Sequence, residues 1–288
     1  CFSAKESASA DLPLPVAPQM ITMGCMDFVI TLIADADRLR LPQLFVDSTV
    51  QVLSMQDVSV TKQSWLKEGV AVDLFARHAD HDTLDAMVQN AVRGHAFDAI
   101  VQRAPKPHYK LLVADMESTI ITCECLDELA EYADLRDKIE AITARAMNGE
   151  LDFEAALTER VGLLKGLPES ALADVMEKKV KLTPGARALV ATMKANGAYT
   201  MLVSGGFDYF AEPIGKKLGF DEVRCNRLEI KNGKLTGCVL PPILGKEAKL
   251  DALEKTCAKL GIKKEETLAV GDGANDLPML LAAGLGVA

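Results

Sequence analysis

Hydrophobic positions along the chain fall into two regimes that change near residue 104. In the first, the apolar run FVITLIA is followed by LPQLFVDSTVQVL, whose apolar residues recur at helical spacing. VSVTKQSWL and VAVDLFAR then alternate, are rich in β-branched residues and are separated by KEG, a hairpin signal. HDTLDAMVQNAV returns to helical spacing with Asp82 as its candidate cap, and FDAIVQR closes as a strand. The order β-α-β-β-α-β predicts a ferredoxin-like α+β sandwich.

Beyond RAPKPHYK, a short basic stretch with two prolines that reads as a linker, the pattern changes. KLLVADM, AYTMLVSGG, TLAVGDG and LGVA are continuous apolar runs, as expected of parallel strands covered on both faces. Between the first two lie about 60 residues of helical spacing only (ECLDELAEYA, DKIEAITARAM, DFEAALTERVGLL, SALADVMEKKV), which predict an all-helical insertion at about 123–182. LTPGARALVATMKANG predicts a helix with Thr183 as N-cap, Pro184 in the first turn and Gly197 as C-cap. Asn232-Gly233 between alternating runs predicts a hairpin. The expected organisation is a floppy leader at 1–24, the ferredoxin-like domain at 25–104 and a doubly wound, mostly parallel α/β domain at 105–288. The leader has no long apolar run, so neither a secretory core nor a membrane span is expected there.

Composition narrows the partners. The formal charge is -9, without the basic excess that nucleic acid or anionic lipid would require, so neither is an expected partner. The acidity is local: Asp115 to Arg160 holds thirteen acids and four bases, a net of -9, and the remainder balances. All four histidines precede residue 109, which argues against histidine-ligated zinc and Ser-His-Asp chemistry in the second regime. Seven scattered cysteines form no disulfide framework, and a reducing cytoplasm fits them best. Cys123 and Cys125, a C-x-C pair, are expected as buried core.

Three strand ends carry candidate chemistry, at the edge where such sheets present their ligands. In Asp115-Met-Glu117-Ser-Thr, strand alternation puts two carboxylates on one side, and their repulsion calls for a cation; oxygen donors without histidine point to Mg²⁺. Ser204-Gly205-Gly206, read as a turn just ahead of a helix, offers a hydroxyl and backbone amides to an anion. Gly271-Asp272-Gly273-Ala-Asn275-Asp276 pairs a turn carboxylate with a second one four residues on. Lys249 opens a helix between the second and third strands, where a surface position is its ordinary expectation.

Asp, Ser, Lys and Asp-x-x-x-Asp on successive strand ends resemble the motifs of the haloacid dehalogenase superfamily. DMEST, ECLDELA, RAMNGELDFEAALTERV, SGGF and GDGANDLPML are more closely similar to its bacterial phosphoserine phosphatase family, from about Lys110 onward. The first domain is similar to the ACT-like domain that precedes the catalytic part there. The resemblance implies an Mg²⁺-dependent phosphatase of O-phospho-L-serine, the last step of serine synthesis, with that small molecule as its partner and a homodimer left open. It implies Asp115 as nucleophile and Glu117 as general acid/base. Asp115, the Glu117 carbonyl and Asp272 would bind the metal, with Asp276 behind them. Ser204, Gly205, Lys249 and Asn275 would hold the phosphate. Glu124 would meet the substrate ammonium, Arg160 its carboxylate, and Met147 and Phe153 would close the pocket.

Two departures from the family pattern stand out. Glu117 replaces the usual aspartate, lengthening the acid by one methylene, and an active enzyme with an altered rate is expected. The sequence also stops at the strand LGVA, where the family usually continues; a missing tail would leave a sheet face uncovered and favour self-association. The alternatives are a related phosphatase or phosphotransferase for phosphothreonine or phosphohomoserine, and a catalytically dead serine-sensing regulator.

Overall fold

The computed structural model describes residues 28–35, 39–148, 150–245 and 247–288. The leader expected at 1–24 lies outside the described residues. Contacts group the described residues up to His108 as one unit and those from Tyr109 onward as another.

The first unit runs β1 (Phe28–Ala34), α1 (Gln43–Ser54), β2 (Ser59–Lys67), β3 (Ala71–Arg77), α2 (His81–Val92) and β4 (Phe97–Arg103). Its strands pair antiparallel in the order β2-β3-β1-β4, the ferredoxin-like arrangement that the hydrophobic pattern predicts. Strand alternation sends Ile30, Leu32, Val72 and Leu74 into a core closed by Val46 and Leu53 of α1 and Leu84 and Val88 of α2. The other sheet face carries Thr31 opposite Asp73. Asp73 is buried there, accepting from the Thr31 hydroxyl at 2.7 Å and paired with the Lys106 ammonium at 2.8 Å. Helix α2 begins one residue before Asp82. Asp80, with extended backbone, is the N-cap and accepts from the Thr83 amide at 2.8 Å, which corrects the capping role expected of Asp82.

The second unit opens with β5 (Leu111–Ala114), followed by four helices, α3 (Cys125–Tyr132), α4 (Arg136–Met147), α5 (Phe153–Leu163) and α6 (Glu169–Lys178). Then come α7 (Ala186–Ala195), β6 (Tyr199–Phe207), α8 (Asp208–Leu218), β7 (Glu222–Lys231), β8 (Lys234–Leu240), α9 (Ala248–Leu260), β9 (Thr267–Val270), α10 (Leu277–Ala282) and β10 (Leu285–Val287). The six strands lie in the order β10-β9-β5-β6-β7-β8, parallel except for the β7–β8 hairpin. Asn232 and Gly233 both take positive φ at its tip, 52° and 67°, as a two-residue hairpin of this type requires. Ala114 is level with Leu202 of β6 and Val270 of β9, so three consecutive loops leave the sheet at one edge. Buried Leu112, Leu126, Leu129, Leu172 and Phe210 tie sheet and helical insertion into one core.

Helix α7 starts later than its sequence suggests. Leu182 bridges Ile121 and the Thr183 amide donates to the Ile120 carbonyl at 3.0 Å, so the chain stays extended through Thr183. Gly185, at φ 91°, makes the turn and is the N-cap, so Thr183 does not cap and Pro184 stands outside the helix. Among the described residues, no helix is long and apolar enough to cross a membrane.

Candidate active site

Asp115 follows the last residue of β5, its amide still bonded to the Val270 carbonyl at 3.0 Å. Its carboxylate meets the Lys249 ammonium at 2.9 Å, and the same ammonium lies 2.6 Å from Asp276 Oδ1. Lys249 is only 4% exposed, at the start of α9, which corrects the surface position expected of a lone lysine. A buried ammonium requires anions of this kind around it. Burial pushes the Asp115 carboxyl up to about 6, although Lys249 pulls the other way. The Gly273 amide donates to Asp276 Oδ2 at 2.9 Å, and a Cβ at Gly271 would stand 2.4 Å from Asp276 Cγ, so the motif needs glycine there for close approach.

Asp115, Asp272 and Asp276 each offer a carboxylate oxygen, all within 4.8 Å of one another. Asp276 Oδ1 is buried and accepts no well-directed hydrogen bond despite the nearby ammonium. Three hard oxygen donors, one of them buried without a well-directed hydrogen bond, fit a divalent cation of the Mg²⁺ type. Thr119 donates to Asp272 Oδ1 at 2.9 Å and so orients the outermost of the three.

Glu117 reaches the same pocket by another route than strand alternation. The strand stops at Ala114, and Glu117 opens a turn. Its Oε1 accepts from the Cys125 amide at 2.7 Å, the first residue of α3, while a Cβ at Gly206 would come within 2.6 Å of its Oε2. Burial, with the Glu124 charge next in weight, pushes the Glu117 carboxyl up to about 8. Near neutral pH this group carries a proton. Burial also raises Glu124, and the hydrogen bond from Ser118 opposes that shift.

Strand β6 runs on through Phe207, so Ser204, Gly205 and Gly206 belong to its end and not to a separate turn. The Ser204 hydroxyl is buried and accepts from the Gly206 amide at 2.9 Å, which removes that amide from any anion cradle. Asn226, fully buried on β7, donates to the Gly205 carbonyl at 2.8 Å and accepts from the Leu244 amide at 2.7 Å, fixing this strand end. Phe153 lies over Gly205, where a Cβ would be 3.3 Å from its ring.

A cavity of about 300 Å³ joins these groups. Asp115, Glu117, Gly205, Lys249, Asp272 and Asn275 line its core side, and Glu124, Phe153 and Arg160 its helical side. Ser204 lines a small adjoining space together with Gly205, Lys249 and Asn275, and the Met147 side chain lies outside the described residues. The sequence pattern did not single out Leu126, Asp127, Thr143 and Leu157, which also line the cavity, nor Ser118, Thr119 and Asn226, which orient its walls. Of these, Ser118 and Thr119 fall within DMEST, Leu126 and Asp127 within ECLDELA and Leu157 within RAMNGELDFEAALTERV, whereas Thr143 and Asn226 fall in none of the quoted motifs. Cys125 is fully buried, whereas Cys123 is only partly so, short of the core position expected of it.

The haloacid dehalogenase-like hydrolase family matches residues 112–281. A phosphoserine phosphatase of Albidiferax ferrireducens is 43% identical over 185 residues, 62% of this chain and 78% of that protein. Of another relative the chain spans little more than half, 52%. A probable phosphoserine phosphatase from Vibrio cholerae, crystallised without ligand, superposes with a TM-score of 0.72 at 32% identity, over 91% of this chain and 77% of that one. A phosphoserine phosphatase solved as a phospho-aspartyl intermediate analogue gives a TM-score of 0.57 at 42% identity, over 62% and 84%. By the family match over its larger unit, supported by relatives of this closeness, the chain belongs to the haloacid dehalogenase-like hydrolases.

Proposed function

We propose that the chain hydrolyses O-phospho-L-serine to L-serine and phosphate through a phosphoryl group carried on Asp115. The observation that carries this reading is the pairing, across one cavity, of two carboxyls in opposite states. Asp115 is held beside the Lys249 ammonium at 2.9 Å, and Glu117, pushed up to about 8, is a proton donor at neutral pH. Two carboxyls set apart by their environments divide nucleophile from acid.

In the first half, an Asp115 carboxylate oxygen attacks phosphorus as the bond to the serine oxygen breaks, and Glu117 gives that oxygen its proton. In the second half, the Glu117 carboxylate takes a proton from water as that water attacks phosphorus. The bond to Asp115 breaks, and both residues return to their starting states. Lys249 and the amide of Gly205 hold the phosphoryl oxygens on which charge spreads in transfer. Asn275 faces the same space. Asp115, Asp272 and the Glu117 carbonyl would hold Mg²⁺, with Asp276 behind them, and the ion when bound supplies positive charge against a dianionic phosphate.

Selection falls to the helical side. Glu124 suits an ammonium, Arg160 grips a carboxylate bidentately, and Phe153 excludes water. The phospho-aspartyl intermediate analogue of a relative 42% identical to this chain supports the covalent route. We place the enzyme at the last step of serine synthesis, in a reducing cytoplasm, with the first unit as an ACT-like domain.

The test is phosphate release from phosphoserine, phosphothreonine and an aryl phosphate, with and without Mg²⁺, by the wild type and Asp115→Asn. Mg²⁺-dependent release, fastest from phosphoserine and lost in the variant, is expected. Activity surviving Asp115→Asn would remove the nucleophile, and faster release from phosphothreonine would move the substrate assignment.

A further inference from the structure

Glu124 is the N-cap of α3, with extended backbone, yet its side chain bonds to no amide of its own helix. N-cap side chains ordinarily take such an amide. The carboxylate that does serve this helix end is Glu117, which accepts from the first amide of α3, that of Cys125, at 2.7 Å. Glu124 turns instead to Ser118, whose hydroxyl donates to its Oε1 at 2.7 Å. This leaves Oε2 for a ligand in the cavity that Glu124 lines.

Ser118 holds this position at some strain, since its φ is 53°, in the left-handed region that side chains other than glycine seldom enter. Glycine would relax the backbone, but only a side chain with a donor can reach Glu124. Like charges on Asp127 and Asp272 act on Glu124 against the opposing charge of Lys249, and the hydrogen bond from Ser118 favours its anionic form against burial.

We propose that Ser118 is a positioning residue that aims the Glu124 carboxylate at the substrate's ammonium group, an inference that rests on the phosphoserine reading. It acts on substrate selection and leaves the phosphoryl chemistry to Asp115 and Glu117.

The experiment compares wild type, Ser118→Ala and Ser118→Gly on O-phospho-L-serine and on its deamino analogue, 3-phosphooxypropanoate, which keeps phosphate and carboxylate but has no ammonium. Both variants are expected to raise KM for phosphoserine about tenfold, the scale of a hydrogen bond to a charged group, with kcat within about twofold. KM for the analogue should stay put, so the preference for phosphoserine shrinks by the same factor. Ser118→Gly should melt at or above the wild-type temperature, since glycine suits that backbone. An unchanged KM, equal losses on both substrates, or a wild-type KM in Ser118→Gly would overturn the role of Ser118. A wild type that does not prefer phosphoserine to the analogue would overturn the assignment of Glu124, and the proposal with it.

Discussion

At the scale of single residues, the behaviour of the site rests on carboxyls that burial holds away from their ordinary ionisation. Glu117 illustrates this: one methylene longer than the family's usual aspartate, it still finds an amide at 2.7 Å and a space vacated by Gly206. Glu117→Gln should lower kcat on phosphoserine by about 10² to 10⁴, the range of general acid/base catalysis, in steady-state assays. With an aryl phosphate, whose leaving group needs no proton, the variant should still release the phenol in a burst before slowing. Full steady-state turnover on both substrates would remove the acid/base role. The same residue sets a pH dependence of stability. A carboxyl raised in the folded state binds more protons folded than unfolded between its two values, so stability falls as pH climbs through that window. The windows run from 3.8 to about 6 for Asp115 and from 4.5 to about 8 for Glu117. Thermal melts of the metal-free protein should therefore decline from pH 4 to 8, and Glu117→Gln should flatten the part above pH 6. Lys249→Ala would leave two buried carboxylates without their cation, and denaturant titration at pH 7 in chelator should read a loss of about 3–5 kcal/mol.

Elements bring these residues together, and here the limits of sequence reading become visible. β1 and β4 occupy the very residues that their apolar runs mark, 28–34 and 97–103, because alternation and β-branching act locally. The Asn232-Gly233 hairpin is equally legible, since both residues tolerate positive φ. Helix starts are less so. Thr183 and Asp82 look like caps, but pairing with Ile120 keeps Thr183 extended, and α2 already begins at His81, capped by Asp80 through the Thr83 amide. The site shows the same division. Motif residues such as Asp115 and Asp272 announce themselves at strand ends, whereas the Thr119–Asp272 hydrogen bond joins positions 153 apart and leaves no local trace. Gly206 lies between these cases, visible as a glycine but not as the space for Glu117. Gly206→Ala should displace that carboxyl and cut kcat at least tenfold while the circular dichroism spectrum stays native. An unaffected kcat would show that Glu117 can adjust.

At the scale of the whole molecule, net charge and catalysis no longer conflict. The net of -9 between Asp115 and Arg160 falls on the turn after β5 and the helical insertion, and of its acids Asp115, Glu117, Glu124 and Asp127 line the cavity, which on the proposed function takes a small anion, not a polyanion. Lys249 and Arg160 supply positive charge within that field, and Mg²⁺ would supply the rest. Binding of Mg²⁺ should stabilise the folded chain by about 2.7 kcal/mol at a hundredfold excess over Kd. Calorimetry with and without the ion reads this as a rise in Tm that Asp272→Asn abolishes. A rise that persists in the variant would put the ion elsewhere.

The most direct measurement is the mass of the Asp115 peptide after acid quench of a single turnover with O-phospho-L-serine and Mg²⁺. A transient gain of one phosphoryl group on Asp115, decaying as free phosphate appears, is the predicted result. Serine and phosphate released at full rate with Asp115 never modified, or a label on another residue, would contradict it.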